Sequence, residues 1–384
     1  CKDQIDRRFM QRFAELPALM KRNRTPNADQ AAAAMACRGC AAKLAAAPLQ
    51  AALKELAQLS QPPQTDPTPL VNDDAAVVAT TADGATLLQS VDGFPAIVSD
   101  PWLNARLTTL HACSDLWACG AAVSSVQAVV TLPQLAPTLQ SELLLQTLAG
   151  VRSVLDPLGA PLLGGHTLEA RDTATPAGPA ATHPLAGLSL MLTVNGSAPA
   201  GRLWPKGPVH PGDVLILTRQ LGSGVLFAAA MAGAAKPQWI DQALAVLQQS
   251  QAPLVDVLAA HGCRACTDIT GFGLLGHLGE MLAASPELTR AQLEAPSLAN
   301  LALPGALELL DAGHASTLAP SNAQALGLLE GQQPPVSLVD AADHSNQGPT
   351  STALLHLLID PQTCGPLLAA IPADHADAAI NALH

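Results

Sequence analysis

From residue 71 to about residue 200, short apolar runs alternate with stretches long enough for helices, and a second series of the same kind starts at Val209. That alternation restricts the chain to mixed layers of helix and sheet. "AAVVAT" (75–80) and "TLLQSV" (86–91) read as buried strands, and 102–119 reads as a helix. "VQAVVTL" (126–132) is a strand and 137–157 a helix; "APLLGG" (160–165) ends a strand and "LSLMLTV" (188–194) is another. "VHPGDVLILT" then opens a second unit, because Pro-Gly-Asp makes a turn and an apolar run follows it. Helices dominate to about residue 284, and the unit closes with "ALLHLLID", "LLAAIP" and an Ala-rich helix from 373. The expected fold class is α+β with two domains. The expected spans are 1–35 as a preceding segment, 36–70 as a Cys/Lys segment with a helix, 71–205 as the first domain and 206–384 as the second. A chain of 384 residues is long enough to bury both cores.

Charge is scarce, at 13% of residues, and is unevenly placed. The first 30 residues hold seven of the 19 Lys and Arg, whereas from residue 31 onward there are 12 basic and 27 acidic residues. A net charge of −12, no tyrosine and 2% aromatic residues argue against a nucleic-acid partner, which would call for a basic face and stacking platforms. The longest uncharged stretch, 173–201, is strongly apolar only from Leu185 to Val194, too short to cross a bilayer. With no apolar region behind a basic start, the expectation is a cytoplasmic protein without a membrane partner.

Against that background four aspartates stand out at the ends of apolar elements: Asp74 in "NDDAAVV", Asp92 in "LLQSVDG", Asp115 in "HACSDLWACGA" and Asp268 in "ACTDITGFGLLGHL". A single such residue is ordinarily a helix cap or a turn former. Four in matching context suit carboxylates that share divalent cations along a triphosphate, because two anions need a cation between them and magnesium takes hard oxygen ligands. A calcium loop is rejected, since no run of alternating acids closes on a glutamate. Glycine turns accompany the acids at Gly164 and Gly165, at Gly222 and Gly224, and at Gly271, Gly273 and Gly276. Glycine lets backbone approach a phosphate, although each turn is equally suited to packing.

The eight cysteines, at 1, 37, 40, 113, 119, 263, 266 and 364, read as thiols. Cys37/Cys40 and Cys263/Cys266 have the spacing of zinc ligands, so a zinc site is the competing reading. Lys43 lies three residues past Cys40 and is one of only four lysines after residue 30. An ammonium there lowers a thiol pKa or meets a phosphate; the bland alternative is a lysine on an exposed helix face with Cys40 buried.

"GCAAKL", "DDAAVV", "SVDGFPAIVSDPW", "SDLWACGA", "LLGGHT", "GDVLILTRQLGSGV", "CTDITGFGLLGHL" and "LLIDPQTCGPLL" occur in one order, and over about residues 36–384 the chain resembles selenophosphate synthetases (selenide, water dikinases). The resemblance implies a two-domain aminoimidazole-ribonucleotide-synthetase-like fold that dimerises through the first domain's sheet. It implies catalytic Cys40 and Lys43, with Lys43 on the ATP phosphates, and magnesium on Asp74, Asp115 and Asp268. The implied ATP-binding residues also include Val71, Asn72, Asp73, Asp92, Asp115, Gly164, Gly165 and His166, the last three shared across the dimer. The implied reaction turns ATP, selenide and water into selenophosphate, orthophosphate and AMP. His111 and Cys364 depart from the family's usual residues. "KDQIDRRFMQRF" resembles the tail of a flavin-dependent NADH dehydrogenase module fused ahead of such enzymes, which implies FAD only where that module is present. The alternatives are another ATP-dependent member of the superfamily, such as a thiamine-monophosphate kinase, or a non-catalytic regulatory domain of a flavoprotein.

Overall fold

A computed structural model describes residues 37–59, 73–170, 187–286, 289–339 and 351–383. The proposed flavoprotein tail in residues 1–35, together with Val71 and Asn72, lies outside the described residues, as does the Cys40 side chain.

After a short 3-10 turn at Gly39–Ala42 and helix α1 (Ala46–Leu59), the first sheet is built from β1 (Ala76–Thr80), β2 (Thr86–Pro95), β3 (Ala122–Leu132), β4 (Leu162–Glu169) and β5 (Ser189–Ala198). The strand order is β1-β2-β5-β3-β4. Only β3 and β4 run parallel, and the helix needed for such a crossover lies between them as α3 (Pro137–Leu155). Before it comes α2 (Pro101–Ala118), which starts where Asp100 accepts a hydrogen bond from Leu103 N at 2.9 Å and Pro101 supplies a ready-made first turn. From Asn104 to Ala118 every residue of α2 is buried except Arg106 and Asp115. A helix apolar on all sides must be covered on all sides. One side of α2 meets the first sheet and α3, and another meets strands of the second sheet.

The second sheet comprises β6 (Asp213–Leu217), β7 (Ala265–Asp268) and β10 (Leu367–Pro372), in the order β6-β10-β7. A separate parallel pair joins β8 (Ala291–Glu294) to β9 (Val336–Val339). Around them pack α4 (Ser223–Met231), α5 (Pro237–Leu247), α6 (Ala252–Ala260), α7 (Gly273–Ala283), α8 (Thr352–Ile359) and α9 (Ala373–Leu383). Central strand β10 alternates between two cores: Leu367, Ala369 and Ile371 join the core shared with α2, and Leu368 and Ala370 join the core under α4 and α7.

One expectation is corrected here. "AAVVAT" reads as a buried strand, yet every residue of β1 is exposed, and Leu87, Val91, Val129, Leu168 and Met191, which the strand register places on one side, form an apolar outer face on the sheet. The helices cover only the inner face of this sheet. Apolar character therefore marked a strand correctly without showing which faces the chain itself covers.

Candidate active site

The four singled-out aspartates come from four separate elements and meet at the junction of the two sheets. Asp74 stands just before β1, Asp92 on β2, Asp115 in the last turn of α2 and Asp268 at the end of β7. A hydroxyl accompanies each of three acids: Ser90 donates to Asp115, Ser114 to Asp268, and Thr267 to Asp74 at 3.2 Å. Because Ser114 and Thr267 neighbour Asp115 and Asp268 in the chain, these bonds tie the end of α2, the end of β7 and the start of β1 into one knot.

The charges act on one another. Burial first, then Asp268, Asp92 and Asp74, hold the Asp115 carboxyl well above the usual carboxylate range, while the Ser90 hydroxyl opposes this. Burial pushes the Asp74 carboxyl up to about 7; Lys206 pulls it down and Asp268 adds to the rise. Only 6% of the Asp74 side chain is exposed, and its Oδ2 has no hydrogen-bond partner. An unpartnered carboxylate oxygen among like charges is a standing demand for a cation. The donor set, hard oxygens from Asp74, Asp115 and Asp268, fits magnesium. Among the described residues no three His, Cys, Asp or Glu side chains close a cage around one point. Magnesium does not need one, since it takes one or two carboxylates and completes its shell with phosphate oxygens and water.

Asp92 is oriented by its neighbours: Gly93 N donates to its Oδ1 at 2.6 Å, and His111 Nε2 lies 3.3 Å from its Oδ2. His111 itself is buried, tilted against Phe94, and its Nδ1 accepts from Cys364 N at 3.2 Å, which leaves Nε2 to carry the proton. The imidazole thus aligns Asp92. Cys364 adopts a left-handed backbone (φ 49°), and its thiol donates to Leu107 O at 3.1 Å.

The Cys/Lys segment is fastened beside this knot. Gly39 has φ +70°, and a Cβ there would come within 2.7 Å of Ile97 Cγ2 and 3.1 Å of Thr363 Oγ1, so glycine is required. Cys37 exchanges hydrogen bonds with Thr317, its N donating to Oγ1 at 3.1 Å and its Sγ accepting from Thr317 N at 3.4 Å. The Lys43 ammonium sits 4.8 Å from the Phe272 ring centroid, at the "TGFG" turn that leads from Asp268 into α7. In that turn Gly273 (φ +70°) passes so close to Ile359 that a Cβ would lie 2.8 Å from its carbonyl carbon.

Other expected residues are placed differently. Asp73 Oδ1 accepts from Lys206 N at 3.0 Å. Gly164, Gly165 and His166 lie on exposed edge strand β4. The register runs from Asp92 through Leu192 and Ala128 to Gly165, so three strand spacings, about 14 Å, separate Gly165 from Asp92 within one chain. Gly165 is needed for packing, since a Cβ would fall 1.7 Å from Ala128 O. Cys37 does not join the second cysteine pair: Cys263 and Cys266 are buried in the core with thiols directed at Ala265 O and Thr267 O, while Cys37 is at Thr317. Burial pushes the thiols of Cys113, Cys119 and Cys266 up, and that of Cys364 up to about 12, so these four stay protonated at neutral pH.

Sequence reasoning missed Lys206, which completes the knot, and its second partner Glu280, which stands beside it. Lys206 Nζ lies 3.0 Å from Asp74 Oδ1 and 2.8 Å from Glu280 Oε2. The scarcity of lysine was the available signal.

Residues 72–183 match the family described as AIR synthase related protein, N-terminal domain, and residues 210–384 match its C-terminal domain. The chain is 32% identical over 350 residues to "Selenide, water dikinase" of Myxococcus xanthus, covering 90% of this chain and 88% of that protein. The chain belongs to the selenide, water dikinase family. The protein of the same name from Pelobacter propionicus is equally similar, at 32% over 349 residues and the same coverage. The thiamine-monophosphate kinase of Stenotrophomonas maltophilia shares the fold with a TM-score of 0.53, at 20% identity over 81% of this chain and 82% of its own. The selenide, water dikinase family therefore uses here the AIR synthase-like fold of two α+β domains, with its acidic knot where those domains meet. Among the described residues no helix is long and apolar enough to cross a membrane.

Proposed function

We propose that the chain is an ATP-dependent phosphotransferase that turns ATP, selenide and water into selenophosphate, orthophosphate and AMP. The observation that carries this reading is the convergence of Asp74, Asp115 and Asp268 from three elements beside the segment bearing Cys40 and Lys43. Asp74, Asp115 and Asp268 would hold magnesium, which supplies neutralisation of the triphosphate and alignment of its terminal phosphoryl group. Asp92, fixed by His111, contacts the nucleotide together with Asp73. Lys43, exposed and free to swing from the Phe272 ring, places a point charge on the phosphates. With Gly39 anchored against Ile97 and Thr363, the residues after it, Cys40 to Lys43, close over the bound nucleotide and exclude water during the first transfer, so that selenide and not water takes the phosphoryl group. Cys40 holds or delivers the selenium nucleophile, and ADP is then hydrolysed to AMP.

A homodimer through the outer face of the first sheet belongs to the same reading. That face is apolar, and Gly164, Gly165 and His166, three strands away from Asp92 on the exposed edge strand, would serve a partner's nucleotide. The "KDQIDRRFMQRF" segment supports a flavin-dependent module ahead of residue 36, and the absence of a spanning helix among the described residues is compatible with a cytoplasmic setting.

Phosphorus NMR tests the reaction. ATP with selenide should give AMP and a selenide-dependent phosphorus signal, and Lys43→Ala should lose both. Normal ATP consumption by Lys43→Ala would remove the lysine's assigned role, and AMP formed without any selenide-dependent signal would remove selenide as the acceptor.

A further inference from the structure

Lys206 lies in the loop between the two domains, and two carboxylates compete for it. Its Nζ is 3.0 Å from Asp74 Oδ1 and 2.8 Å from Glu280 Oε2, and only 12% of its side chain is exposed. Its backbone N donates to Asp73 Oδ1 at 3.0 Å, so the loop is pinned to the segment that carries Asp74. Glu280, on α7, also lies 3.3 Å from His277 Nδ1, and His277 Nε2 meets Thr270 Oγ1 at 3.3 Å. The ammonium therefore bridges the acidic knot and a second carboxylate that stands outside it. On the knot's side Asp74 Oδ1 is taken by Lys206 and Thr267, while Oδ2 is buried and unpartnered.

We infer that Lys206 is a built-in counter-cation that competes with divalent metal for the Asp74 side of the knot and keeps the nucleotide-free protein from loading tightly. Glu280 is the carboxylate onto which the ammonium withdraws. The inference rests on the assignment of Asp74, Asp115 and Asp268 to the divalent cation. The physical reason is charge. Three carboxylates facing one another without a cation would repel strongly in a poorly solvated site, and Lys206 relieves that repulsion with a charge of one. The same charge repels an arriving divalent ion. Triphosphate oxygens add further negative charge and ligands, so loading becomes favourable when metal and nucleotide arrive together. Lys206 is thus a positioning residue whose effect runs through Asp74, and it need not touch substrate.

The test is Mn2+ binding to the full-length, nucleotide-free protein, read by electron paramagnetic resonance of the free ion, with thermal unfolding measured alongside. Lys206→Met should lower the Mn2+ Kd by about tenfold or more, given a unit charge within a few ångströms of the ion. It should also lower the Tm of the metal-free protein, with Mn2+ restoring it. Glu280→Gln should move the Kd the other way, because the ammonium is then left to Asp74 alone. A structural role for the loop would weaken binding in both variants, so the opposed signs are diagnostic, and Glu280→Gln keeps the test decisive if Lys206→Met folds poorly. Equal or weaker Mn2+ binding by Lys206→Met, or tighter binding by Glu280→Gln, would overturn the inference. Asp115→Asn serves as the control: if Mn2+ binds it as tightly as wild type, the failure belongs to the metal assignment itself and not to Lys206.

Discussion

Two buried acids in this molecule are raised alike and are built for different ends. Burial pushes both Asp74, in the knot between the sheets, and Asp360, in the "DPQT" loop of the second domain, up to about 7. Their neighbours differ. Asp74 faces Asp268 and Asp115 with one lysine to temper them. Asp360 faces the N-terminus of α4, where its Oδ2 accepts from Val225 N at 3.1 Å and from Gln362 Nε2 at 3.1 Å. Gln362 in turn accepts from Gly222 N at 2.8 Å and Ser223 N at 3.1 Å. Asp360 Oδ1 is also buried without a partner, but no other acid acts on this carboxyl; backbone donors and a helix dipole answer it, and it anchors a turn. Asp74 is answered by other acids and waits for a cation. A raised carboxyl alone therefore does not mark a functional site; the sign of its surroundings does.

Three perturbations separate the two regions. The largest effect belongs to the knot: Asp268→Asn should cut ATP turnover by about 1,000-fold or more, as expected when a metal that steadies transferring phosphate is lost. The metal-free variant should unfold at no lower temperature than wild type, because one of three repelling charges is gone. A large drop in Tm with turnover preserved would reverse the roles given to the two regions. Next, Asp360→Ala should cost about 3 kcal/mol of stability in denaturant unfolding, since it strands the Val225 N–H and opens a cavity beside α4. Its Mn2+ affinity should stay within about twofold of wild type, as independent sites add without coupling.

The smallest effect is on pH dependence. The folded Asp360 keeps its proton up to about 7, whereas the unfolded side chain releases it near its ordinary 3.8. The folded state therefore binds more protons between those values, and stability falls as pH rises through that window. Asp360→Asn removes this contribution, so the fall measured by unfolding from about pH 4 to about pH 7 should become shallower. An unchanged slope would mean that Asp360 is ionised in the folded protein.

The knot was partly legible in the sequence because charge is so rare there. Asp74, Asp115 and Asp268 each stand at the end of an apolar element, and that placement singled them out before any contact was known. Lys206 carried only the scarcity of lysine as a mark. "LWPKGPVHPG" looks like an ordinary interdomain turn, and its ion pairs with Asp74 and Glu280 reach across 132 and 74 residues, which no local pattern encodes (206 − 74 and 280 − 206). Strands β1 to β5 were readable from their apolar runs, but the open outer face was not, since apolar character is the same whether a face is covered by its own chain or by another. The β8–β9 pair escaped because each strand has four residues, too few to show a period. Asp360 lay inside a motif that was noticed, yet its partner, the N-terminus of α4, is 135 residues away.

The most direct measurement is anomalous diffraction from crystals grown with Mn2+ and a non-hydrolysable ATP analogue. Manganese peaks lying among the carboxylates of Asp74, Asp115 and Asp268 and bridging to the phosphates are the predicted result, with the Lys206 ammonium resting on Glu280. Phosphates bound elsewhere, with those three side chains bare of metal and Lys206 still on Asp74, would contradict it.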